Sequence, residues 1–297
     1  MAKEWFKDVN FRAKSLKMID IVNDIVEGYQ RQGLRLTLRQ TYYQCIVRNL
    51  FPNSERSYKN LGNLISEARL AGIMDWDAIE DRVRRPRACS EFADVEDVIN
   101  AAFYSYRLPR WEGQENYVEL WVEKDALAGV LSPIASEYHV TMMVNRGYSS
   151  QSAMYEASKR FQRECKESGK YPHLIYLGDM DPSGEDMVRD ISDRLAMYSV
   201  PELEVTKIAL TMEQVEEYNP PPNPAKLSDS RAEKYIERHG DSSWEVDALP
   251  PVELGKVIRE ALDRLVDKDL MATVIAQEEI DKKAIKEMAR KYKESRR

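Results

Sequence analysis

A chain of 297 residues can hold two domains, each with its own core. Hydrophobic residues make up 43% and charged residues 32%, which excludes a disordered chain, and no apolar run approaches the ~20 residues that span a bilayer. The first residues hold no apolar signal core, and Cys45, Cys89 and Cys165 are too few and too scattered for a disulfide framework or a zinc site. The expectation is therefore a cytoplasmic protein, nucleoid-associated if prokaryotic, in which any metal is held by oxygen. The net charge of −7 hides an asymmetry, because residues 1–90 hold 16 Lys and Arg against 11 Asp and Glu and the remainder 28 against 40. Ordinary surface charge gives such a split, and so does DNA contact through the first part with metal binding in the second.

Residues 13–32 have a helical rhythm (Leu16, Ile19, Ile21, Val22, Ile25, Val26, Tyr29), with Gly33 as a stop. Thr37 suits the cap of a second helix over 38–50, ended by Pro52, and Ser54 the cap of a third over 55–71. With a short extended piece at 73–76, these helices predict a helix-turn-helix or winged-helix domain over 1–90. The third helix offers Arg56, Lys59, Asn60, Asn63 and Arg69, residue types that suit either a DNA groove or a solvated face. The run RVRRPR (82–87) reads as a linker or a strip for a phosphate backbone, and residues 91–114 as a partly helical linker.

From 115 to 217 the rhythm alternates. YVELWVEK, HVTMMVN, HLIYLGD and LEVTKIAL read as strands, with helical stretches between them. That order predicts an α/β domain with a mainly parallel sheet. YNPPPNP (218–224) is a stiff turn, and the remainder to 297 reads as helical, with a tail of eight basic and two acidic residues over 282–297.

The acidic residues at two strand ends give the clearest chemical signal. Glu123 closes one strand, and Asp179 and Asp181 follow another in LIYLGDMDPSGED (174–186). Ligands of open parallel sheets sit beyond the carboxyl ends of strands, so neighbouring strands would gather all three carboxylates. Together they would repel one another unless a cation is present, and hard oxygen donors select Mg2+ or Mn2+. Glu123 can ligate or act as acid or base. The plainer alternative is that Asp179 or Asp181 caps the next helix. Glu185 and Asp186 read as first-turn acids favoured by the helix dipole.

VEKDALAGVL (122–131) with GDMDPSGEDM (178–187) resembles the Toprim domain of topoisomerases, primases and some nucleases. The resemblance implies a metal held by Glu123, Asp179 and Asp181. A winged helix ahead of it, and WEVDALPP (244–251) after it, are similar to the A subunit of DNA topoisomerase VI and the related meiotic double-strand-break enzyme. RGYSSQ (146–151) shares Gly147 and Tyr148 with a G-Y-P-D stretch of that family but has Ser149 for the proline, and Arg146 stands as a candidate cation toward DNA.

The same family breaks DNA with a tyrosine in an R-x-x-[aromatic]-Y motif, here in LRQTYYQ (38–44). Leu38, Tyr42, Cys45, Ile46 and Asn49 share one helical stripe, which makes Tyr42 structural. Tyr43 lies about 100° away and one turn from Arg39, which predicts a solvent-facing nucleophile beside a cation that favours phenolate. The resemblance then implies a 5′-phosphotyrosyl link through Tyr43 on double-stranded DNA, a C2 homodimer in which the tyrosine of one copy serves the metal site of the other, and a separate ATPase subunit. A hydrolytic Toprim nuclease and a non-catalytic DNA-binding component of a larger complex are the alternatives.

Overall fold

The computed structural model describes residues 3–80, 89, 91–226, 229 and 231–295, so RVRRPR and the last two arginines lie outside the described residues. Thr37 and Gln40 form a capping box at the start of α2 (Leu38–Val47), and Ser54 accepts from Ser57 N at the start of α3 (Glu55–Leu70). With α1 (Ala13–Gln30) they enclose a core of Ile19, Val22, Leu36, Tyr42, Cys45, Leu61, Ile65 and Met74. α2 ends sooner than its sequence pattern suggests, because the chain turns left-handed at Asn49 (φ 56°), a conformation Asn tolerates. The extended piece expected at 73–76 is instead a turn. The Asp75 side chain accepts from Asp77 N at 2.9 Å and starts a 3-10 turn at Trp76–Ala78. Only isolated bridges, Trp5 to Ala71 and Leu36 to Ile79, add extended pairing there among the described residues.

α4 (Val95–Ser105) leads to the α/β part. There β1 (Asn116–Val122), α5 (Ala128–Tyr138), β2 (Thr141–Val144), α6 (Gln151–Ser168), β3 (Tyr171–Leu177), α7 (Pro182–Met197) and β4 (Glu204–Ala209) alternate. The sheet is parallel throughout in the order β2-β1-β3-β4, so the strands ending at Glu123 and Asp179 are neighbours. Alternate side chains serve opposite layers. Val118, Leu120, Val122, Ile175 and Leu177 face one core, and Trp121, Leu174 and Tyr176 face another with Met154, Phe161, Met187 and Ile191 of α6 and α7.

After β4 come α8 (Met212–Tyr218), β5 (Asn223–Pro224), α9 (Ala232–His239), β6 (Ser242–Ser243), α10 (Pro251–Asp263) and α11 (Lys268–Ser295). These elements are not an appendage. Tyr235, Val246, Leu249, Leu254 and Ile258 pack into the same core as β1 and α5. Trp244 pairs with Met180 through two backbone hydrogen bonds, 2.8 and 2.9 Å, which lays the stretch 244–248 along the end of the sheet. Among the described residues no helix is long and apolar enough to cross a membrane.

The turn after β3 works only with small residues. A Cβ at Gly178 would lie 2.7 Å from the Tyr176 hydroxyl, and one at Gly184 would lie 2.1 Å from the Asp179 carbonyl oxygen. The second clash is with backbone and cannot relax cheaply. Gly184→Ala is expected to lower stability by about 2 kcal/mol or more, read by urea unfolding, the range of an overpacked site.

Candidate functional site

The end of β1 is stitched to the end of β3. Glu123 N donates to Leu177 O at 2.9 Å, and Asp179 N donates to the Glu123 carboxylate at 3.0 Å. Asp179 is 7% exposed, and its Oδ1 accepts from Val246 N at 2.9 Å. Asp181 is the N-cap of α7, its Oδ1 accepting from Gly184 N at 2.6 Å and Ser183 Oγ at 2.8 Å. The fold thus brings Glu123, Asp179 and Asp181 to one edge, and Asp181 also fills the capping role that the sequence left open.

Burial first, then Asp179, pushes the Glu123 carboxyl above its ordinary value. Burial likewise raises Asp179, against the pull of Lys124. Two lysines answer this negative charge. Lys124 Nζ lies 2.8 Å from Asp179 Oδ2, 3.1 Å from Glu245 and 3.2 Å from Asp247. Lys207 Nζ donates to the Asp179 carbonyl at 2.6 Å, and burial holds its pKa below the usual lysine value although four carboxylates oppose it. The Tyr176 phenol, fully buried behind Glu123 and Asp179, is pushed upward by burial and then by their charge. Lys124, Lys207, Glu245 and Asp247 are functional candidates that reading the motifs did not single out. Lys124 and the two acids stood inside the quoted VEKDAL and WEVDAL stretches, whereas Lys207 is marked only by being a charge in a strand.

Arg39 and Tyr43 reach this edge within the same chain. The 3-10 turn at Val246–Ala248 packs on α2. Arg39 pairs with the carboxylates of Glu245 and Asp247, its Nε 3.0 and 3.1 Å from them, and its guanidinium lies 5.9 Å from the Tyr43 ring centre. Tyr42 is core, as its stripe predicts, but Tyr43 is not solvent-facing. It is 4% exposed, because residues 245–248 cover the face of α2 that the sequence left open. Nor does Arg39 favour the phenolate on balance. Burial first, then Glu245, whose carboxylate accepts from the Tyr43 hydroxyl, raise the phenol well above its usual value, and Arg39 offsets only part of this. A cleft of about 220 Å3 beside Tyr43 is lined by Arg39, Asn53, Tyr58, Asn223 and Glu245. A larger one of about 490 Å3 lies on the other side of Arg39, reaching Arg69, Trp76 and Asp125.

Arg56, Lys59, Asn60 and Asn63 are exposed on α3 at spacings that put them on one face, with Lys59 paired to Glu55 at 2.7 Å. Arg69 does not join them. Its guanidinium donates to Trp76 O and Ile79 O, both at 2.7 Å, and so pins the turn after α3. Arg146 sits in a left-handed turn (φ 54°), its backbone N–H donating to Glu123 O, and its exposed side chain pairs with Asp125 at 3.5 Å. No family model matches this chain, and no curated protein is significantly similar to it.

A divalent cation suits the chemistry of the donors, all hard carboxylate oxygens, two of them desolvated and raised in pKa. Their present positions do not converge. Among the described residues no three acidic, His or Cys side chains are grouped closely enough to hold a metal ion, and Lys124 stands against Asp179. Ligation by these residues therefore requires Lys124 to yield.

Burial pushes Glu245 up, but Lys124 and Arg39 overcome it and hold its carboxyl at about 2, against 4.5 ordinarily. A depressed carboxyl adds stability that is present above the unfolded value and is lost as pH falls through the folded one. Glu245→Gln is thus expected to lower the melting temperature at neutral pH. The gap to wild type should narrow as pH falls below 4.5 and close near 2. Thermal melts across that range check both the loss and its pH course.

Proposed function

We propose that the chain is a DNA-breaking protein in which Tyr43 attacks a phosphodiester beside an acidic, divalent-cation-dependent site made by Glu123, Asp179 and Asp181. One observation supports this reading above the others. Arg39 and Tyr43 of α2 are linked through Glu245 and Asp247 to Lys124 and Asp179, so one chain of ion pairs joins a candidate nucleophile to a candidate metal site. The residues come from four distant stretches, and packing alone does not require five charged groups and a phenol at one place.

In the proposed reaction Arg39 leaves Glu245 for a phosphate oxygen, to which its fork of donors is matched. Freed from Arg39, the Glu245 carboxylate becomes a better proton acceptor for the Tyr43 hydroxyl. The tyrosyl oxygen bonds to phosphorus and the bond to the 3′ oxygen breaks. The hydroxyl proton passes to Glu245, and the departing oxygen takes a proton from water. Lys124 shifts from Asp179 and Glu245 toward Asp247, which opens Asp179 for ligation and leaves Glu245 free to take the proton. A bound Mg2+ or Mn2+ would stabilise the charge that develops on the phosphate and the departing oxygen. The exposed face of α3, with Arg56, Lys59, Asn60 and Asn63, is the proposed DNA contact, and Arg146 a further one near Glu123. The family resemblance adds a homodimer and a separate ATPase subunit to this proposal.

A hydrolytic nuclease is the second reading. The burial of Tyr43 and its raised phenol favour it, since water would then be the nucleophile at the same acidic edge. Supercoiled DNA with Mg2+ or Mn2+, resolved on denaturing gels with and without proteinase, separates the two. The expected result is a covalent protein–DNA adduct, reduced at least about a hundredfold in Tyr43→Phe and in Asp179→Ala. Free 5′ phosphate ends that survive Tyr43→Phe but not Asp179→Ala would select hydrolysis, and absence of cleavage with either metal would leave a DNA-binding component.

A further inference from the structure

The larger cleft, about 490 Å3, has no part in the reaction proposed for Tyr43, yet it begins at the same guanidinium. Arg39 and Tyr58 line both clefts and so form the partition between them. The larger one lies where α2, α3 and the turn at Trp76–Ala78 meet Asp125 and Ala126 after β1. Ligands bind by preference in such clefts between two parts of a chain, in volumes of about 300–1,000 Å3. The larger cleft falls within that range, and the smaller, about 220 Å3, falls below it.

The lining says which ligand. Trp76 is 36% exposed and presents its indole to the cleft. The Arg69 guanidinium stands over that ring at 5.6 Å and is itself fixed by its hydrogen bonds to Trp76 O and Ile79 O. Phe6, 58% exposed, meets the same indole nearly at right angles, the ring centres 5.7 Å apart. An aromatic ring braced in this way loses little freedom on binding, and with the guanidinium it makes the kind of flat platform on which bases stack. Ile65 and Ile79 add apolar surface beside it. Acceptors also stand in the lining, the Ser66 hydroxyl and the carboxylates of Glu80 and Asp125. Asp125 is held by Arg146 at 3.5 Å, an exposed pair that is weak and leaves most of its acceptor capacity open. Carboxylates in these places favour a base with an exocyclic amino group over thymine, whose carbonyls they repel.

The cleft also adjoins the exposed face of α3. At 100° per residue, Ser66 at its mouth lies about 20° in rotation from Lys59 and two turns along the helix. The geometry points to a site for one unpaired nucleotide, its base on Trp76 and Arg69, its amino edge toward Asp125 and Glu80, and its phosphate on Arg39. A space of this size admits a single nucleotide and excludes a base pair, so a nucleotide of a duplex reaches it only by being turned out of the stack. That a DNA strand supplies the nucleotide rests on the proposed function. The pocket itself does not.

Fluorescence anisotropy of the full chain tests the inference, without divalent metal so that no strand is cut. Two labelled duplexes are compared, one fully paired and one carrying a single-guanosine bulge, whose extra nucleotide is the easier to turn out. The bulged duplex is expected to bind at least about fivefold more tightly, the effect of about one stacked base. Trp76→Ala should erase that preference and Trp76→Phe should retain it, which separates lost stacking from a disturbed turn. Ser66→Leu, an exposed position that fills the mouth, should erase it at an unchanged melting temperature. Calorimetry with dGMP distinguishes the sources, since binding of dGMP without a bulge preference keeps the pocket and makes the free nucleotide its ligand. A preference that survives both Trp76→Ala and Ser66→Leu overturns the inference. So does the lack of any preference together with no binding of dGMP. A bulge preference in a protein that cuts no DNA with metal would remove the reading of Tyr43 and leave the pocket, and a covalent adduct without preference or dGMP binding would do the reverse.

Discussion

Lys124 brings one positive charge to the point where three carboxylates from two stretches of chain meet, Asp179 after β3 and Glu245 and Asp247 ahead of α10. Arg39 of α2 closes the group from the other side. Removing such charges from water costs several kcal/mol each, which only mutual pairing recovers, so the members stand or fall together. The arrangement of the two parts of the chain depends on it, because the helices of the first seventy residues touch the end of the sheet through these groups and through Asn53, which donates to Asn223 at 2.8 Å.

The same group ties structure to the proposed chemistry. Burial raises Glu123 and Asp179 toward their neutral forms, while Lys124 and Arg39 hold Glu245 ionised. The edge therefore contains carboxylates in opposite electrostatic situations, Asp179 and Glu245 both within reach of Lys124, the condition under which acid, base and ligand roles can separate. Lys124 acts as an internal counter-ion. It neutralises the edge when nothing else does, and any cation bound to Asp179 must displace it.

How much of this could be read in advance depended on distance along the chain. The strands and their helices followed from local rhythm, and the parallel pairing that brings Glu123 beside Asp179 followed from the alternation of β and α units. Asp181 as a cap was legible from Pro182, Ser183 and Gly184 behind it. Tyr42 was legible from its stripe. Tyr43 was not, because a ten-residue helix shows which face is apolar but not what covers the other face, and here the cover comes from residues some two hundred positions later. What Arg69 holds was not legible for a related reason: a guanidinium on a helix looks alike whether it meets phosphate or two carbonyls of the next turn. Lys207 had no local signal, since its partners are supplied by strand order alone.

Among the described residues Asp181 caps the start of α7 with one oxygen only. Oδ1 takes the hydrogen bonds of Ser183 and Gly184, and Oδ2 is not among the atoms so engaged. A carboxylate anchored by one oxygen keeps its orientation without rotamer freedom to lose, so a ligand reaching Oδ2 would find it already aimed and would leave the helix start intact. Sixteen residues of helix would then act as the rigid mount for a single lone pair, and thermal motion at that atom would follow α7 as a body rather than the turn that carries it.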